Sequence, residues 1–110
     1  QAQLENCAEV KAAWIELHTG KYAITKNKAR DLELSILKES TAKAKSYGLR
    51  VNAGHGLTYQ NVEPIAAIEG IEELNIGHTI ISRALSVGLS QAVKEMKSLI
   101  INPRKDNFLL

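Results

Sequence analysis

Histidines at the ends of predicted strands are the residues of this sequence best suited to chemistry. His55 stands between Gly54 and Gly56, and His78 follows Gly77. An imidazole exchanges a proton near neutral pH, and glycine lets the backbone turn sharply or approach a ligand. This pattern predicts proton transfer beside a bound ligand. For the Gly-His-Gly window alone, a solvent-exposed turn histidine is an equally good interpretation.

Glu16 is the carboxylate that could join such a site. It lies in an alternating stretch, residues 12–18, where Trp14, Glu16 and His18 share one face of a predicted strand and Ile15 and Leu17 the other. A carboxylate in a strand normally faces solvent. In a closed parallel barrel covered by helices, the same carboxylate would point inward at an active site.

His18, His55 and His78 also raise the question of zinc, because a catalytic zinc site needs three protein ligands. Histidines flanked by glycine suit acid–base and phosphate chemistry better, so we predict no metal. The turn Ile76-Gly77-His78-Thr79 opens a predicted helix. Free N–H groups and the helix dipole at that position favour a phosphate.

Strands and helices alternate along the chain in a way that positions these residues at one edge. Parallel neighbours in α/β folds place their carboxyl ends on the same side, where ligands bind. The loop at residues 21–28 is expected to carry Tyr22 over the site. Pro64 predicts a helix that begins near Val62 or is short and kinked. Pro103 is expected to stop the last helix. The predicted strands are residues 12–18, 49–53 and 73–76, and the predicted helices are residues 28–47, 62–68, 79–86 and 90–101.

Composition limits the possible classes of protein. The 110 residues, 45% of them apolar and 24% charged, fit one small globular domain. The net charge of +2 comes from dispersed basic residues, which argues against nucleic-acid binding. No apolar run approaches the ~20 residues of a membrane span, and no secretory signal opens the chain. A single cysteine, Cys7, excludes an internal disulfide and is compatible with a cytoplasmic location.

Three motifs in series resemble pyridoxine 5′-phosphate synthase. They are Ile15-Glu16-Leu17-His18-Thr19-Gly20-Lys21-Tyr22-Ala23, Val51-Asn52-Ala53-Gly54-His55-Gly56-Leu57-Thr58-Tyr59 and Glu73-Leu74-Asn75-Ile76-Gly77-His78. The resemblance covers the chain to about residue 101. It implies an α/β fold of the TIM-barrel type and a condensation of 1-deoxy-D-xylulose 5-phosphate with 3-amino-2-oxopropyl phosphate. Such an enzyme releases inorganic phosphate and water, uses no cofactor and forms a homo-oligomer.

The resemblance also implies roles for five residues. His55 would be the proton donor in ring closure, and Glu16 would stabilise the transition state. Gly56, Gly77 and His78 would bind 3-amino-2-oxopropyl phosphate, the last two through its phosphate. Asn52, Thr19 and Tyr22 match the family pattern without an assigned role.

The chain is too short for a whole barrel, which needs about 250 residues and eight strands. It matches strands six to eight, so residues 1–110 are expected to be the C-terminal segment of one barrel domain. Within it, residues 1–11 would end a helix, residues 12–101 would form three βα units and residues 102–110 a tail. The start at Gln1 within a helical pattern also suggests a piece of a longer protein.

The family's proton acceptors and deoxyxylulose-phosphate contacts would lie outside this chain, which alone is expected to be inactive. An uncovered sheet face and two strand edges are expected to need the other half or self-association. Two alternatives stay open at this point. One is a non-catalytic phosphate-binding or assembly half-barrel, and the other is a different phosphosugar barrel enzyme.

Overall fold

The computed structural model describes residues 3–4 and 14–108, with side chains described as far as Pro103. Gln3 and Leu4 are helical, and the rest of the helix predicted for residues 1–11, with Cys7, lies outside the described residues. The elements alternate as predicted, and together they make a mixed α/β fold. In chain order they are β1 (Trp14–His18), α1 (Gly20–Ile24), α2 (Asn27–Ser46), β2 (Arg50–Gly54), α3 (Val62–Ala66), β3 (Ile71–Asn75), α4 (His78–Val87) and α5 (Leu89–Phe108).

The three strands form one parallel sheet in the order β1-β2-β3. Glu16 pairs with Asn52, and His18 pairs with Gly54. Gly54 in turn pairs with Asn75. This register brings the carboxyl ends of all three strands to one edge, as the sequence pattern predicted. More strands would be needed to show a barrel, so the TIM-barrel architecture stays a prediction.

The two faces of the sheet differ sharply in burial. Val51, Ala53 and Ile71 are at most 1% exposed and face the helices. The alternate side chains of the strands, among them Glu16, His18 and Asn75, are exposed. The polar face is therefore open, and the apolar face is the one the helices cover.

Helix boundaries follow local sequence signals in two places. Pro64 is the third residue of α3, which begins at Val62. Its missing N–H would have no partner in the first turn anyway, so the predicted start is confirmed. Gly48 follows the end of α2 with φ +79°, the left-handed conformation that glycine adopts without strain.

Two predictions about local structure are wrong. The segment expected as a loop after Thr19 forms α1, and Tyr22 is buried in the core instead of lying over the site. Pro103 does not stop the last helix, because α5 continues through it to Phe108. A proline removes one backbone hydrogen bond, and its fixed φ is compatible with a helix, so an established helix can continue past it.

Within residues 3–4 and 14–108, none of the helices combines the length and apolar character needed to cross a bilayer.

A cluster of charged side chains connects the amino ends of the strands. The guanidinium of Arg50 donates hydrogen bonds to the Glu72 carboxylate at 2.9–3.3 Å, and it lies 3.9 Å from the centroid of the Trp14 ring. Lys45 Nζ is 3.7 Å from the same carboxylate. The hydrogen bond from Arg50 lowers the pKa of Glu72, and the charges of Arg50 and Lys45 lower it further.

This cluster predicts a pH dependence of stability. A carboxyl whose pKa is lowered by folding stabilises the native state above its unfolded pKa of about 4.5, and that contribution is lost as the pH falls through the folded value. Glu72→Gln should therefore lower the free energy of unfolding at neutral pH, and the difference from the parent should shrink on acidification. Urea denaturation of the purified protein across this range measures the effect. Glu39→Gln, an exposed substitution on α2, is the control, and a Glu72→Gln difference independent of pH would contradict the prediction.

Candidate active site

The carboxyl ends of β1 and β2 are joined beyond the regular ladder. The Thr19 backbone N–H donates to the Gly54 carbonyl at 2.9 Å. Thr19 also donates its side-chain hydroxyl to the His55 carbonyl at 2.6 Å. These bonds bring the turn after β1 against the turn after β2.

His55 has an unusual backbone conformation at this junction. Its φ is +96°, a region that L residues other than glycine rarely adopt. Such a conformation costs about 1–3 kcal/mol and persists only where the surroundings impose it. The imidazole stacks on that of His18 with ring centroids 4.2 Å apart, and both side chains remain exposed. His55 is thus held in place while its ring stays open to a ligand.

Two glycines allow this close packing. A Cβ at Gly20 would lie 2.5 Å from His18 Cε1 and 2.9 Å from His55 Cδ2. A Cβ at Gly56 would lie 2.8 Å from the Ala23 Cβ, and Gly56 also has φ +74°. A side chain at Gly20 would displace the two imidazole rings, and one at Gly56 would push the second turn away from Ala23.

Glu16 lies on the open face of β1 and is held from across the sheet. The side-chain amide of Asn75 on β3 donates a hydrogen bond to Glu16 Oε1. Gly54 on β2 lies between them, and a Cβ there would be 3.1 Å from Glu16 Oε1 and 2.9 Å from Asn75 Cβ. The absence of a side chain at Gly54 therefore lets the carboxylate and the amide meet.

A cavity of about 550 Å³ opens beside these residues. It brings together four of the five predicted site residues, namely His55, Gly56, Gly77 and His78. Glu16 does not line the cavity, but Asn75 lines it and bonds to Glu16. The remaining lining residues are Leu57, Thr58, Ile76, Thr79 and Ser82.

The start of α4 forms another part of the cavity wall. Gly77 precedes the helix, His78 is its first residue, and the first turn carries no acidic residue. The N–H groups of a first helical turn have no partners within the helix, and the helix dipole adds partial positive charge. Thr79 and Ser82 also line the cavity, so this end suits a phosphate.

Tyr22, although part of the first motif, has a structural environment. Its hydroxyl donates to the Asn61 carbonyl at 2.6 Å inside the core. Burial raises the pKa of this hydroxyl, and the charge of Arg30 opposes that shift. The neutral, hydrogen-bonded Tyr22 therefore stabilises the loop after His55 from within the core.

Asn75 and Ser82 are cavity residues that the sequence analysis did not identify. A signal existed for Asn75, which lies at the end of β3, two residues before Gly77. It also follows Glu73 by two residues and therefore shares a face of the strand with it. Ser82 lies one helical turn after His78, on the same side of α4. For metal binding, no group of three histidine, cysteine, aspartate or glutamate residues in the described part of the chain could hold an ion.

Chemically, the site combines a group that can exchange a proton with a helix start that favours anions, and the carboxylate of Glu16 is bonded to Asn75 on the cavity wall. An imidazole positioned at a cavity can act as a general acid or base. A fixed carboxylate stabilises positive charge that develops in a transition state. The arrangement suits proton transfer on a phosphorylated substrate.

Comparisons with known proteins agree on one family. The family model described as pyridoxal phosphate biosynthesis protein PdxJ matches residues 1–102. A pyridoxine 5′-phosphate synthase of Prochlorococcus marinus (strain NATL1A) is 99% identical over 110 residues, which cover all of this chain and 45% of that protein.

More distant relatives carry the same description. The pyridoxine 5′-phosphate synthase of Prochlorococcus marinus (strain MIT 9211) is 63% identical over 108 residues, or 98% of this chain and 44% of that protein. That of Synechococcus sp. (strain WH7803) is 64% identical over 106 residues, or 96% and 43%. The chain therefore spans less than half the length of the curated relatives that it matches.

Proposed function

Because the chain belongs to the family of the pyridoxal phosphate biosynthesis protein PdxJ, we propose that it supplies the C-terminal part of a pyridoxine 5′-phosphate synthase. The observation that carries the proposal is the cavity in which His55 and Gly56 meet Gly77 and His78. The three parallel strands of the chain would be strands six to eight of a TIM barrel, a fold whose active sites lie at the carboxyl ends of the strands. The open polar face of the sheet would then face the interior of that barrel.

The proposed reaction condenses 1-deoxy-D-xylulose 5-phosphate with 3-amino-2-oxopropyl phosphate and releases inorganic phosphate and water. The phosphate of the aminoketone substrate would bind at the start of α4, through the backbone of Gly77 and His78. Gly56 would contact the same substrate near the turn after β2. The helix dipole and free N–H groups support this placement, since they favour an anion over a neutral group.

His55 would donate the proton that ring closure requires, because its imidazole lies on the cavity wall and is exposed. Glu16 would stabilise positive charge in the transition state, and Asn75 supports that role by orienting the carboxylate. No organic cofactor or metal enters the proposed reaction. The proton acceptors and the contacts to deoxyxylulose phosphate would come from the remainder of the barrel.

The remaining expectations depend on the whole protein. A synthase assembled from the complete barrel would act in the cytoplasm as a homo-oligomer, and this segment alone would be inactive. The open sheet face, with Trp14 40% exposed, supports the need for a covering half.

Gly77→Ala provides a test that separates ligand binding from folding. A Cβ at Gly77 has nothing within 4 Å, so the substitution should leave the Tm unchanged. A methyl group at the helix start would obstruct the phosphate, and loss of a charge-assisted hydrogen bond should raise the KM for 3-amino-2-oxopropyl phosphate about tenfold to a hundredfold. Steady-state kinetics of the full-length synthase would measure this.

The comparison variant for that test is Ser86→Ala, an exposed change at the far end of α4. It should leave both KM values unchanged. If Gly77→Ala also left the KM for the aminoketone phosphate unchanged, the phosphate would not bind at this helix start and the proposal would fail at that point.

A further inference from the structure

We propose that Thr19 is a positioning residue for His55, and that Thr19 and Gly20 together hold the imidazole in its reactive orientation. The inference rests on the proposed role of His55 as proton donor. Thr19 does not line the cavity and acts only through His55. Three observations carry the inference, and each concerns a different part of the contact.

The first observation is the backbone of His55. Its φ of +96° is not one that a histidine adopts without external support. Gly56 adopts its positive φ of +74° freely, but this does not reduce the backbone strain at His55. Something outside the loop must therefore hold the His55 peptide in place.

The second observation is the hydrogen bond that supplies this support. Thr19 is fully buried, at 0% exposure. Its hydroxyl donates to the His55 carbonyl at 2.6 Å, across 36 residues of sequence. The Thr19 backbone N–H is itself bound to Gly54 at 2.9 Å. Thr19 is thus anchored to the sheet by its backbone N–H, and its hydroxyl can fix the peptide that follows His55.

The third observation concerns the imidazole ring. His18 stacks on it from one side, with ring centroids 4.2 Å apart. The Gly20 N–H donates to His18 Nδ1 at 3.3 Å, which orients that ring. A Cβ at Gly20 would intrude on both rings, at 2.5 Å from His18 and 2.9 Å from His55. The Thr19-Gly20 pair thus sets the backbone of His55 and leaves the space that its ring needs.

The test uses Thr19→Val and Thr19→Ser in the full-length synthase. Valine keeps the shape of threonine and removes the hydroxyl, whereas serine keeps the hydroxyl. Since a misplaced catalytic group slows the reaction, Thr19→Val should lower kcat about tenfold or more, with both KM values within about twofold of the parent. Thr19→Ser should retain kcat to within about threefold.

A double-mutant cycle with His55→Gln separates positioning from a general structural effect. If Thr19 acts through His55, Thr19→Val should have no further effect on the residual kcat of His55→Gln. An equal loss of kcat in both backgrounds, or a Thr19→Val enzyme with unchanged kcat, would overturn the inference.

The cycle also separates this inference from the proposed function. If His55→Gln by itself retained full activity, the proposed role of His55 would fail, and the positioning role of Thr19 with it. If His55→Gln were inactive while Thr19→Val stayed active, only the positioning role would fail.

Should Thr19→Val not fold, Gly20→Ala tests the same contact from the side of the ring. It should lower kcat in the parent and not in the His55→Gln background, and an equal loss in both would overturn the inference.

Discussion

Replacing His55 by glutamine in the full-length synthase is expected to lower kcat by about 10²–10⁴-fold, the usual contribution of a general acid. Glutamine is a polar residue of similar reach but cannot donate a proton in the way that an imidazolium can. The start of α4 is untouched by the change, so the KM for the aminoketone phosphate should change little. Steady-state kinetics with both substrates would measure the two parameters.

The control for His55→Gln is Gln60→Ala, an exposed change in the same loop that does not line the cavity. It should leave kcat at the parent value, and Tm measurements on both variants should show that the fold is retained. A folded His55→Gln enzyme with parental kcat would exclude His55 as the proton donor.

Replacing Glu16 by glutamine is the second change with a large expected effect. Glutamine keeps the side-chain length and a carbonyl that can accept the hydrogen bond from Asn75, so the change removes mainly the charge. Loss of one fixed electrostatic contact to a transition state costs about 10²–10³-fold in kcat. We expect a loss of that size with KM values close to those of the parent.

Glu63→Gln is the matched control for Glu16→Gln, because Glu63 is an exposed carboxylate on α3, away from the cavity. Its kcat should equal that of the parent. If Glu16→Gln raised KM and left kcat unchanged, the carboxylate would bind the ground state of a substrate and would not stabilise the transition state.

Much of this fold could be predicted because the signals are local. Alternation of apolar and polar residues in residues 12–18 predicts a strand, and the described part of it, Trp14–His18, is one. That periodicity depends only on backbone geometry. Pro64 and Gly48 marked helix ends for the same reason, since each restricts or frees its own φ. The order strand, helix, strand then required parallel neighbours with their carboxyl ends at one edge.

Local signals failed where packing decided the outcome. Tyr22 stands in a motif near the site, yet its ring is buried in the core, where its hydroxyl donates to the carbonyl of Asn61, 39 residues away. Pro103 stops many helices, but α5 continues through it. In both cases the residue type allows two conformations, and contacts distant in sequence or the rest of the helix select one.

The sequence by itself determined which residues could do chemistry and at which edge they would lie. Only the tertiary structure decided how they are held. The bond from Thr19 to His55 spans 36 residues, and that from Asn75 to Glu16 spans 59. Both hydrogen bonds depend on the register of the sheet. That register places Gly54 between β1 and β3, where a side chain would keep Glu16 and Asn75 apart. No periodicity along the chain carries that information, because it arises from strand pairing across the sheet.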